Sequence, residues 1–434
     1  MTVYTNVRII CASGSLDMSK SSDRVARAPR SIGVLKDLEN DWAFNQTLAF
    51  MTEKAAETGE CLYAARRIDE RNADTWIDEW AALAERVETL GDESLRGGHP
   101  VSAREAYLRA CNYWRTAEYA CVPSHARFEE TWGRSVAAFR KASALFTPVI
   151  EMVEVPFEGK MLPGYFMRPD DTETTRPTMF AVGGSDSSIE VVATGMGFPA
   201  IRRGYNFFTF DFPGHRGAVH RYPDCVKRSD YSAPFAAAFS ILQQLRGVDE
   251  RIALSGYSYG GYVATQVAIT EPRVKALIAD SPLIDFPALL KSNPSNRFFR
   301  FIPDLLLDAA VARALRRTVI TKGLTYYTIW SWGCPSFREW RRWPAKVAND
   351  ISAEVHRITC PTLAMVSEHE GAVMLQQART FIAAIGSMEK RLHSFTLERD
   401  GSYDHCQLDN LSRGQQVAYD WLDDVFEYRS ARQG

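Results

Sequence analysis

Residues 252–264 limit what this 434-residue chain can fold into more than any other stretch. They read as an apolar strand, a Gly-x-Ser-x-Gly turn centred on Ser258, and a segment with helical spacing. A serine on such a strand-to-helix turn projects its hydroxyl from the edge of a sheet, and the helix N-terminus directs backbone N–H groups at negative charge beside it. The pentapeptide also occurs by chance in ordinary turns, but both required flanks are present here. The sequence therefore predicts Ser258 as a nucleophile.

The glycines of this turn have a steric purpose. Gly256 and Gly260 stand two residues on either side of Ser258, where a β-carbon would collide with neighbouring backbone in so sharp a bend. Gly261 leaves room for the helix to pack on the strand.

Composition and motifs restrict the partners. The formal net charge is −2 at pH 7, which favours neither nucleic acid nor an anionic membrane, so we expect a small-molecule substrate. The eight cysteines include no Cys-x-x-Cys pair, and neither a His-Glu-x-x-His motif nor a dinucleotide fingerprint occurs, so we expect reduced thiols, no metal and no cofactor. No apolar run approaches the roughly 20 residues that span a bilayer, and none near the start suits a secretory signal. We expect a cytoplasmic protein.

The character of the chain changes along its length. Residues 37–145 carry apolar and aromatic side chains at helical spacing, which favours packing between helices over a pocket roof for most of these rings. One helix is predicted to begin at Asp74 and end before Gly97, and a capping box at Ser102–Glu105 predicts the start of the next. From about residue 150, short apolar strands alternate with helices, which indicates a mostly parallel, doubly wound α/β sheet.

Residues 285–350 interrupt this rhythm with a helical, basic stretch that holds aromatic residues from Phe298 to Trp343. We interpret it as a lid, because insertions at this point emerge at the carboxyl edge of the sheet, where binding sites lie. A surface excursion with its own small core is the alternative. The predicted segments are an N-terminal arm (1–36), a helical cap domain (37–145), two parts of the core (146–284 and 351–434) and the lid insertion (285–350).

A nucleophilic serine needs a base, and the base needs an acid that orients it. In a sheet of this kind the order along the chain is serine, acid, histidine. His405 lies between the last predicted strand and the final helix, so it is predicted as the base; the alternative is a histidine that caps that helix. The acid is expected after the strand at 362–366, where positional analogy favours Glu370 over its rival Glu368.

Two backbone N–H groups are needed to hold the oxyanion of an attacked carbonyl. One is predicted to be that of Tyr259, directly after the nucleophile, and the other that of Gly184 or Ser185, in the loop after the strand that ends at Val182. Asp186 lies in the same loop. It either contacts the substrate, orders the loop, or caps the helix that follows.

These motifs are similar to one group of α/β-hydrolases with an N-terminal helical domain. The group includes 2,6-dihydroxypseudooxynicotine hydrolase and the fungal polyketide-shortening (yellowish-green pigment) hydrolases. The likeness extends over about residues 37–427, and further stretches that carry it are 74–120, 211–217, 360–363, 404–407 and 420–425.

The resemblance implies an α/β-hydrolase fold and cleavage of a carbon–carbon bond next to a ketone. It also implies a Ser-Asp-His triad under a two-part cap, often in a homodimer. Asp186 matches an acidic residue that helps at the substrate in this group. Two positions depart from the pattern: Glu370 stands where aspartate is usual, and Ser367 where glycine is usual.

The predicted function is serine-dependent hydrolysis of an aromatic or polyketide-like ketone or ester, in secondary metabolism or catabolism. Three alternatives stay open: a cyclase or carbon–carbon bond-forming enzyme of natural-product biosynthesis, a broad-range esterase or peptidase, and a non-catalytic binding protein. The presence of both Ser258 and His405 disfavours the last of these.

Overall fold

The structure, a computed structural model, describes residues 32–292, 299, 301–342 and 349–428. Of the predicted arm, residues 32–36 are among them; the rest of the arm, Phe298 and Trp343 lie outside the described residues. Within these ranges, no helix combines the length and the apolar character that a membrane crossing requires.

The described residues form one eight-stranded sheet. Its strands are β1 (Glu151–Phe157), β2 (Lys160–Met167), β3 (Arg176–Val182), β4 (Asn206–Phe210), β5 (Val248–Tyr257), β6 (Ala276–Asp280), β7 (Thr362–Ser367) and β8 (Lys390–Phe395). They are arranged in the order β1-β2-β4-β3-β5-β6-β7-β8. The pairs β1–β2 and β2–β4 are antiparallel, and the remaining pairs are parallel. The predicted α/β class with a mostly parallel sheet is confirmed.

In the described part of the chain, the α-helices before the sheet are α1 (Leu38–Ala49), α2 (Thr58–Ala65), α3 (Ala73–Arg96), α4 (Pro100–Glu118) and α5 (Phe128–Ser143). The predicted capping box at Ser102–Glu105 is wrong, because α4 begins earlier with Pro100 in its first turn. Proline suits that position, since its φ is already helical and no N–H is left without a partner. Trp76, Trp80 and Trp114 are fully buried between these helices, which confirms packing as the role of these rings.

Helices cover both faces of the sheet. The next ones along the chain are α6 (Ile189–Val192), α7 (Phe198–Arg202), α8 (Arg216–Arg221), α9 (Ser232–Leu242) and α10 (Tyr259–Thr270). The region of the predicted lid contains α11 (Phe286–Ser292), α12 (Asp304–Leu315), α13 (Ile320–Ser331) and α14 (Phe337–Arg342). After β7 and β8 come α15 (Ala372–Ala384), α16 (Leu397–Asp400) and α17 (Leu411–Val425).

The sheet separates two apolar cores. Met179 and Ala181 of β3 join the core that contains the N-terminal helices and α17. Phe180 and Val182 of the same strand join the core that contains α9, α10 and α15. Because side chains alternate across a strand, both faces of β3 are buried, as expected of a doubly wound sheet. Ligands bind such sheets at the carboxyl ends of the strands, where β3, β5, β6 and β7 lead into their loops.

Candidate active site

Ser258 stands at the sharp turn between β5 and α10. Its backbone lies at φ 57° and ψ −124°, a combination that residues other than glycine rarely adopt. Its amide nitrogen donates a hydrogen bond of 2.5 Å to the carbonyl oxygen of Asp280, at the end of β6. The neighbouring strand therefore holds the strained turn in place.

Close backbone approaches require the glycines around Ser258. A β-carbon on Gly256 would lie 2.0 Å from the carbonyl oxygen of Gly260, and one on Gly260 would lie 2.5 Å from that of Gly183. The steric reason for both glycines of the motif is thus confirmed. A β-carbon on Gly184 would lie 3.0 Å from the β-carbon of Ser258, so the loop after β3 passes directly beside the serine.

Glu370 and His405 are hydrogen-bonded, with 2.7 Å between Oε2 of the carboxylate and Nδ1 of the ring. Glu370 is buried, three residues after β7 ends at Ser367. Its Oε1 accepts a 2.8 Å hydrogen bond from the backbone N–H of Ser367, and its Oε2 also accepts one from Ser281 Oγ. A carboxylate fixed in this way holds an imidazole in one tautomer and orientation, which is the part that the acid plays in a Ser-His-acid triad.

The rival interpretations of these two residues do not fit the geometry. Glu368 is exposed, and its carboxylate accepts a hydrogen bond from the N–H of Leu397 at the start of α16. The final helix, α17, is capped by the side chain of Asn410, which accepts from the N–H of Arg413. His405 is therefore paired with Glu370 and does not serve as that cap.

Charge around His405 favours its protonated form. Burial by itself would lower the pKa of the ring, but the carboxylates of Glu370, Asp280 and Asp404 outweigh burial and raise the pKa to about 8. The imidazolium that forms when the ring takes a proton is therefore stabilised, as a general base beside a serine requires.

Asp280 is a second buried carboxyl near the histidine, and the sequence analysis did not single it out. It ends β6, lines the same cavity as Ser258 and His405, and accepts a 3.2 Å hydrogen bond from Gln407 Nε2. Burial, followed by the negative charge of Glu370, raises its pKa to about 7. Its place at the carboxyl end of the strand beside β5 is the signal that could have identified it.

The three residues predicted to supply oxyanion donors lie around Ser258. Tyr259 begins α10, so its N–H is one of the first four that lack a partner within the helix. Gly184 and Ser185 lie between β3 and α6 and line the cavity that contains Ser258. Their backbone N–H groups are the predicted oxyanion donors.

Lys227 is a further residue that the sequence analysis missed. It is buried, and its Nζ donates hydrogen bonds to Ser185 Oγ at 2.5 Å and to Ser331 Oγ, in α13, at 3.1 Å. The same atom lies 4.9 Å from the ring centroid of Tyr259. Burial lowers the pKa of Lys227 to about 7. The amine thus links the loop after β3 to the helical insertion.

Asp186 lines the cavity and does not cap a helix, because α6 begins after Ser188; that alternative is wrong. Among the described residues, its Oδ2 has no hydrogen-bond partner. Its carbonyl oxygen accepts a 2.8 Å hydrogen bond from Arg216, which forms a buried ion pair with Glu118 of α4. The N-terminal helices and the loop that carries Asp186 are therefore connected through one guanidinium.

The cavity beside Ser258 has a volume of about 470 Å³, within the roughly 300–1,000 Å³ of typical small-molecule sites. Trp42 and Gln46 of α1 line one side, and Thr325 of α13 lines another. Ser258 and His405 both face it, and in the described residues no hydrogen bond joins their side chains. Such contacts are often long without substrate and tighten when it binds. Within the described ranges, no cluster of His, Cys, Asp and Glu could hold a metal ion.

A family model described as the alpha/beta hydrolase family matches residues 180–418, which contain β4 to β8, Ser258, Glu370 and His405. Hydrolase LUC6 from a Fusarium species is 28% identical over 86% of this chain and 93% of its own. Hydrolase ORFZ from Pyricularia oryzae is 29% identical over 72% of this chain and 78% of its own length. The 20-hydroxy-prefusarin hydrolase FUS2 from Gibberella moniliformis is 31% identical over 59% of this chain and 63% of its own length.

Solved structures share the fold. The 2,6-dihydroxy-pseudo-oxynicotine hydrolase superimposes with a TM-score of 0.68 at 22% identity, over 87% of this chain and 95% of its own. AbyA5 superimposes with a TM-score of 0.54 at 16% identity, over 85% of this chain and 90% of its own. The resemblance that the motifs indicated is thus confirmed. From its sheet order, its match to the family model and its hydrolase relatives, we conclude that this chain is an enzyme of hydrolase type and belongs to the alpha/beta hydrolase family.

Proposed function

We propose that this enzyme is a serine-dependent hydrolase that acts on a carbonyl group of an aromatic or polyketide-like small molecule. The bond cleaved is a carbon–carbon bond next to a ketone, or an ester. The observation that carries the proposal is the buried Glu370–His405 hydrogen bond at the wall of the cavity that also contains Ser258. The substrate class follows from the resemblance to ketone-cleaving enzymes and from a relative named for hydrolysis of 20-hydroxy-prefusarin.

In the proposed mechanism, Ser258 Oγ attacks the carbonyl carbon while His405 takes the hydroxyl proton through Nε2. When the tetrahedral intermediate collapses, the bonding pair leaves with the carbon or oxygen leaving group, which receives that proton from the imidazolium. Water then attacks the acyl-enzyme and gives a proton to His405; the bond from the acyl carbon to Ser258 Oγ breaks, the imidazolium returns the proton to that oxygen, and the acid is released. Glu370 orients the ring and stabilises the imidazolium through the 2.7 Å hydrogen bond.

Negative charge on the attacked oxygen is held, in this proposal, by the N–H of Tyr259 and that of Gly184 or Ser185. Two such donors stabilise the transition state more than the ground state, because the charge develops only as the serine adds. Asp186 has an oxygen with no hydrogen-bond partner in the described structure, and we assign it to a polar group of the substrate.

The helices at 37–145 and the insertion at 285–350 are proposed to act together as a cap. Both contribute to the lining of the cavity, through α1 and α13. We further propose a cytoplasmic homodimer that uses no cofactor and binds neither nucleic acid nor membranes. Light scattering coupled to gel filtration tests the dimer, and a monomer at micromolar concentration would contradict it.

The test uses 1-phenyl-1,3-butanedione and a p-nitrophenyl ester in water enriched in oxygen-18, with products weighed by mass spectrometry. Hydrolysis gives two products whose masses sum to substrate plus water, with one heavy oxygen in the acid. We expect Ser258→Ala to lower this turnover at least about a thousandfold. Full activity of that variant would overturn the serine mechanism. Fast turnover of the ester alone would instead indicate a general esterase.

A further inference from the structure

A second, smaller cavity of about 160 Å³ adjoins the large one at Ser258. Four residues line both cavities: Ser185, Ser258, Thr328 and His405. The proposed nucleophile and base therefore stand between two compartments. A substrate whose carbonyl lies at Ser258 can therefore extend one substituent into each of them.

The two compartments differ in chemistry. Polar side chains that line the large cavity include those of Glu39, Gln46, Asp186, Asp280 and Gln415. Apart from the four shared residues, the described lining of the small cavity is apolar or aromatic, and includes Leu283, Phe286, Leu289, Trp332, Trp340 and Met374. The small compartment therefore suits an apolar substituent, because a polar one would leave its hydrogen bonds to water without replacement.

Ring contacts fix the aromatic wall of the small cavity. The rings of Phe286 and Trp332 are stacked, with centroids 5.9 Å apart and planes 17° apart. The ring of Tyr259 meets Phe286 at 5.6 Å and Trp332 at 5.9 Å, edge to face. Behind them, Lys227 Nζ lies 4.9 Å from the Tyr259 centroid and 5.3 Å from that of Trp332. A wall held in this way is formed before the substrate arrives, which lowers the entropic cost of binding.

Volume limits the group that this compartment can take. An apolar cavity of about 150 Å³ lined by leucine, isoleucine and phenylalanine stays dry and binds benzene. The small cavity matches it in volume and in kind of lining, and its rings offer the edge-to-face contacts that aromatic pairs prefer. We propose that the small cavity binds a single aromatic ring next to the carbonyl that Ser258 attacks, while the rest of the substrate, with its polar groups, occupies the large cavity, whose lining is mixed polar and apolar. This inference rests on the proposed serine mechanism.

Three boronic acids test the compartment without knowledge of the natural substrate. Methylboronic, phenylboronic and 2-naphthylboronic acid each form a bond from boron to Ser258 Oγ, with the serine proton passing to His405. The adduct keeps both boron hydroxyls and carries one organic group. That group can take the place of either substituent of the carbonyl, so it can enter the small cavity whichever side of the carbonyl is cleaved. Affinity is measured as protection of the enzyme from fluorophosphonate labelling.

For the native sequence, we expect phenylboronic acid to protect at a concentration at least tenfold below methylboronic acid. The naphthyl compound should be at least fivefold weaker than the phenyl compound, because a fused second ring exceeds the cavity. Equal protection by methyl and phenyl compounds, or by phenyl and naphthyl compounds, would overturn the inference.

Substitutions in the lining of the small cavity test whether the selectivity among the boronic acids arises there. Leu289→Trp fills it and should weaken the phenyl compound at least tenfold, with the methyl compound changed less than twofold. Trp340→Ala widens it and should strengthen the naphthyl compound at least fivefold. Lys291→Trp is the matched control, since Lys291 is exposed on the same α11 helix and should change no compound more than twofold. If both cavity variants leave the preferences unchanged, the inference is wrong.

The same experiment distinguishes failure of the ring compartment from failure of the serine mechanism. Labelling of Ser258 without selectivity among the three compounds would contradict the ring compartment and leave the serine mechanism standing. An absence of labelling and of protection would overturn both.

Discussion

Glu370 is one methylene longer than the aspartate that is usual at its position, and Ser367 replaces the usual glycine. The structure connects these two departures. The Glu370 side chain accepts from the Ser367 N–H, and the Ser367 side chain accepts from the Glu370 N–H, which is the reciprocal arrangement of a capping box. The serine therefore anchors the longer carboxylate where it meets His405, so the two replacements compensate for each other.

The first prediction separates the two candidate acids. Glu370→Gln keeps the size of the side chain and removes its charge, so kcat/KM should fall by about 10²–10⁴, as when a triad acid loses its charge. Glu368→Gln is the matched control two residues away, and its exposed side chain should change kcat/KM by less than about twofold. Steady-state kinetics on the diketone substrate give both values. Similar losses in the two variants would contradict the assignment of Glu370.

The second prediction concerns pH. His405 must be neutral to accept a proton, and its pKa of about 8 lies above the ordinary value, so kcat/KM should rise with pH through a midpoint near 8. Glu370→Gln removes the negative charge that favours the protonated ring, so the midpoint should move to lower pH. Asp280→Asn should move it in the same direction by less, because Asp280 acts on the ring through its charge and makes no hydrogen bond to it. An upward move in either pH–rate profile would contradict this account.

The third prediction assigns Lys227 a positioning role. Lys227→Met keeps the length of the side chain and removes the hydrogen bonds to Ser185 and Ser331. We expect kcat to fall about tenfold with KM within about threefold, because the loop after β3, which carries Gly184 and Ser185, loses its support while the cavity keeps its lining. Lys275→Met, at an exposed lysine, is the control and should match the native enzyme. A rise in KM with unchanged kcat would instead indicate a contact with substrate.

At the scale of whole elements, a buried ion pair joins the N-terminal helices to the catalytic half of the chain. Glu118 ends α4 and Arg216 begins α8, and both are buried. The guanidinium also lies 4.3 Å from the ring centroid of Tyr327 in α13 and donates to the carbonyl oxygen of Asp186. Three elements and the loop that carries Asp186 therefore meet at Arg216.

The fourth prediction tests this junction. Glu118→Gln leaves the Arg216 charge buried without its partner, so the free energy of unfolding in urea should fall by about 3–5 kcal/mol. Glu129 provides the control, because it is the exposed partner of His220 and Glu129→Gln should cost less than about 1 kcal/mol. Equal losses in the two variants would show that the buried pair contributes nothing beyond a surface contact.

The sequence predicted the elements whose signals are local. The turn at Ser258 belongs to this group, because a β-carbon on its glycines would collide with backbone atoms of the turn itself and of the segment beside it. The role of Lys227 could not be predicted from the sequence, because its partners Ser185 and Ser331 lie 42 and 104 positions away along the chain. Residue spacing alone does not show how the insertion packs on the sheet. The start of α4 was missed for a local reason, since Pro100 begins a helix without a side-chain cap.

At the scale of the whole molecule, three parts of the chain meet at Ser258. The carboxyl edge of the sheet supplies the serine, Glu370 and His405, and α1 contributes polar and aromatic lining. The insertion contributes α11, α13 and two rings of the aromatic wall, Phe286 and Trp332.

The most direct test of the central claim, an activated serine at position 258, is the intact mass of the protein after treatment with a fluorophosphonate. We expect a single adduct that maps to Ser258, absent in Ser258→Ala, slowed at least about a hundredfold in His405→Ala, and unchanged in Glu368→Gln. No adduct on the native enzyme, or an adduct that persists in Ser258→Ala, would contradict the account.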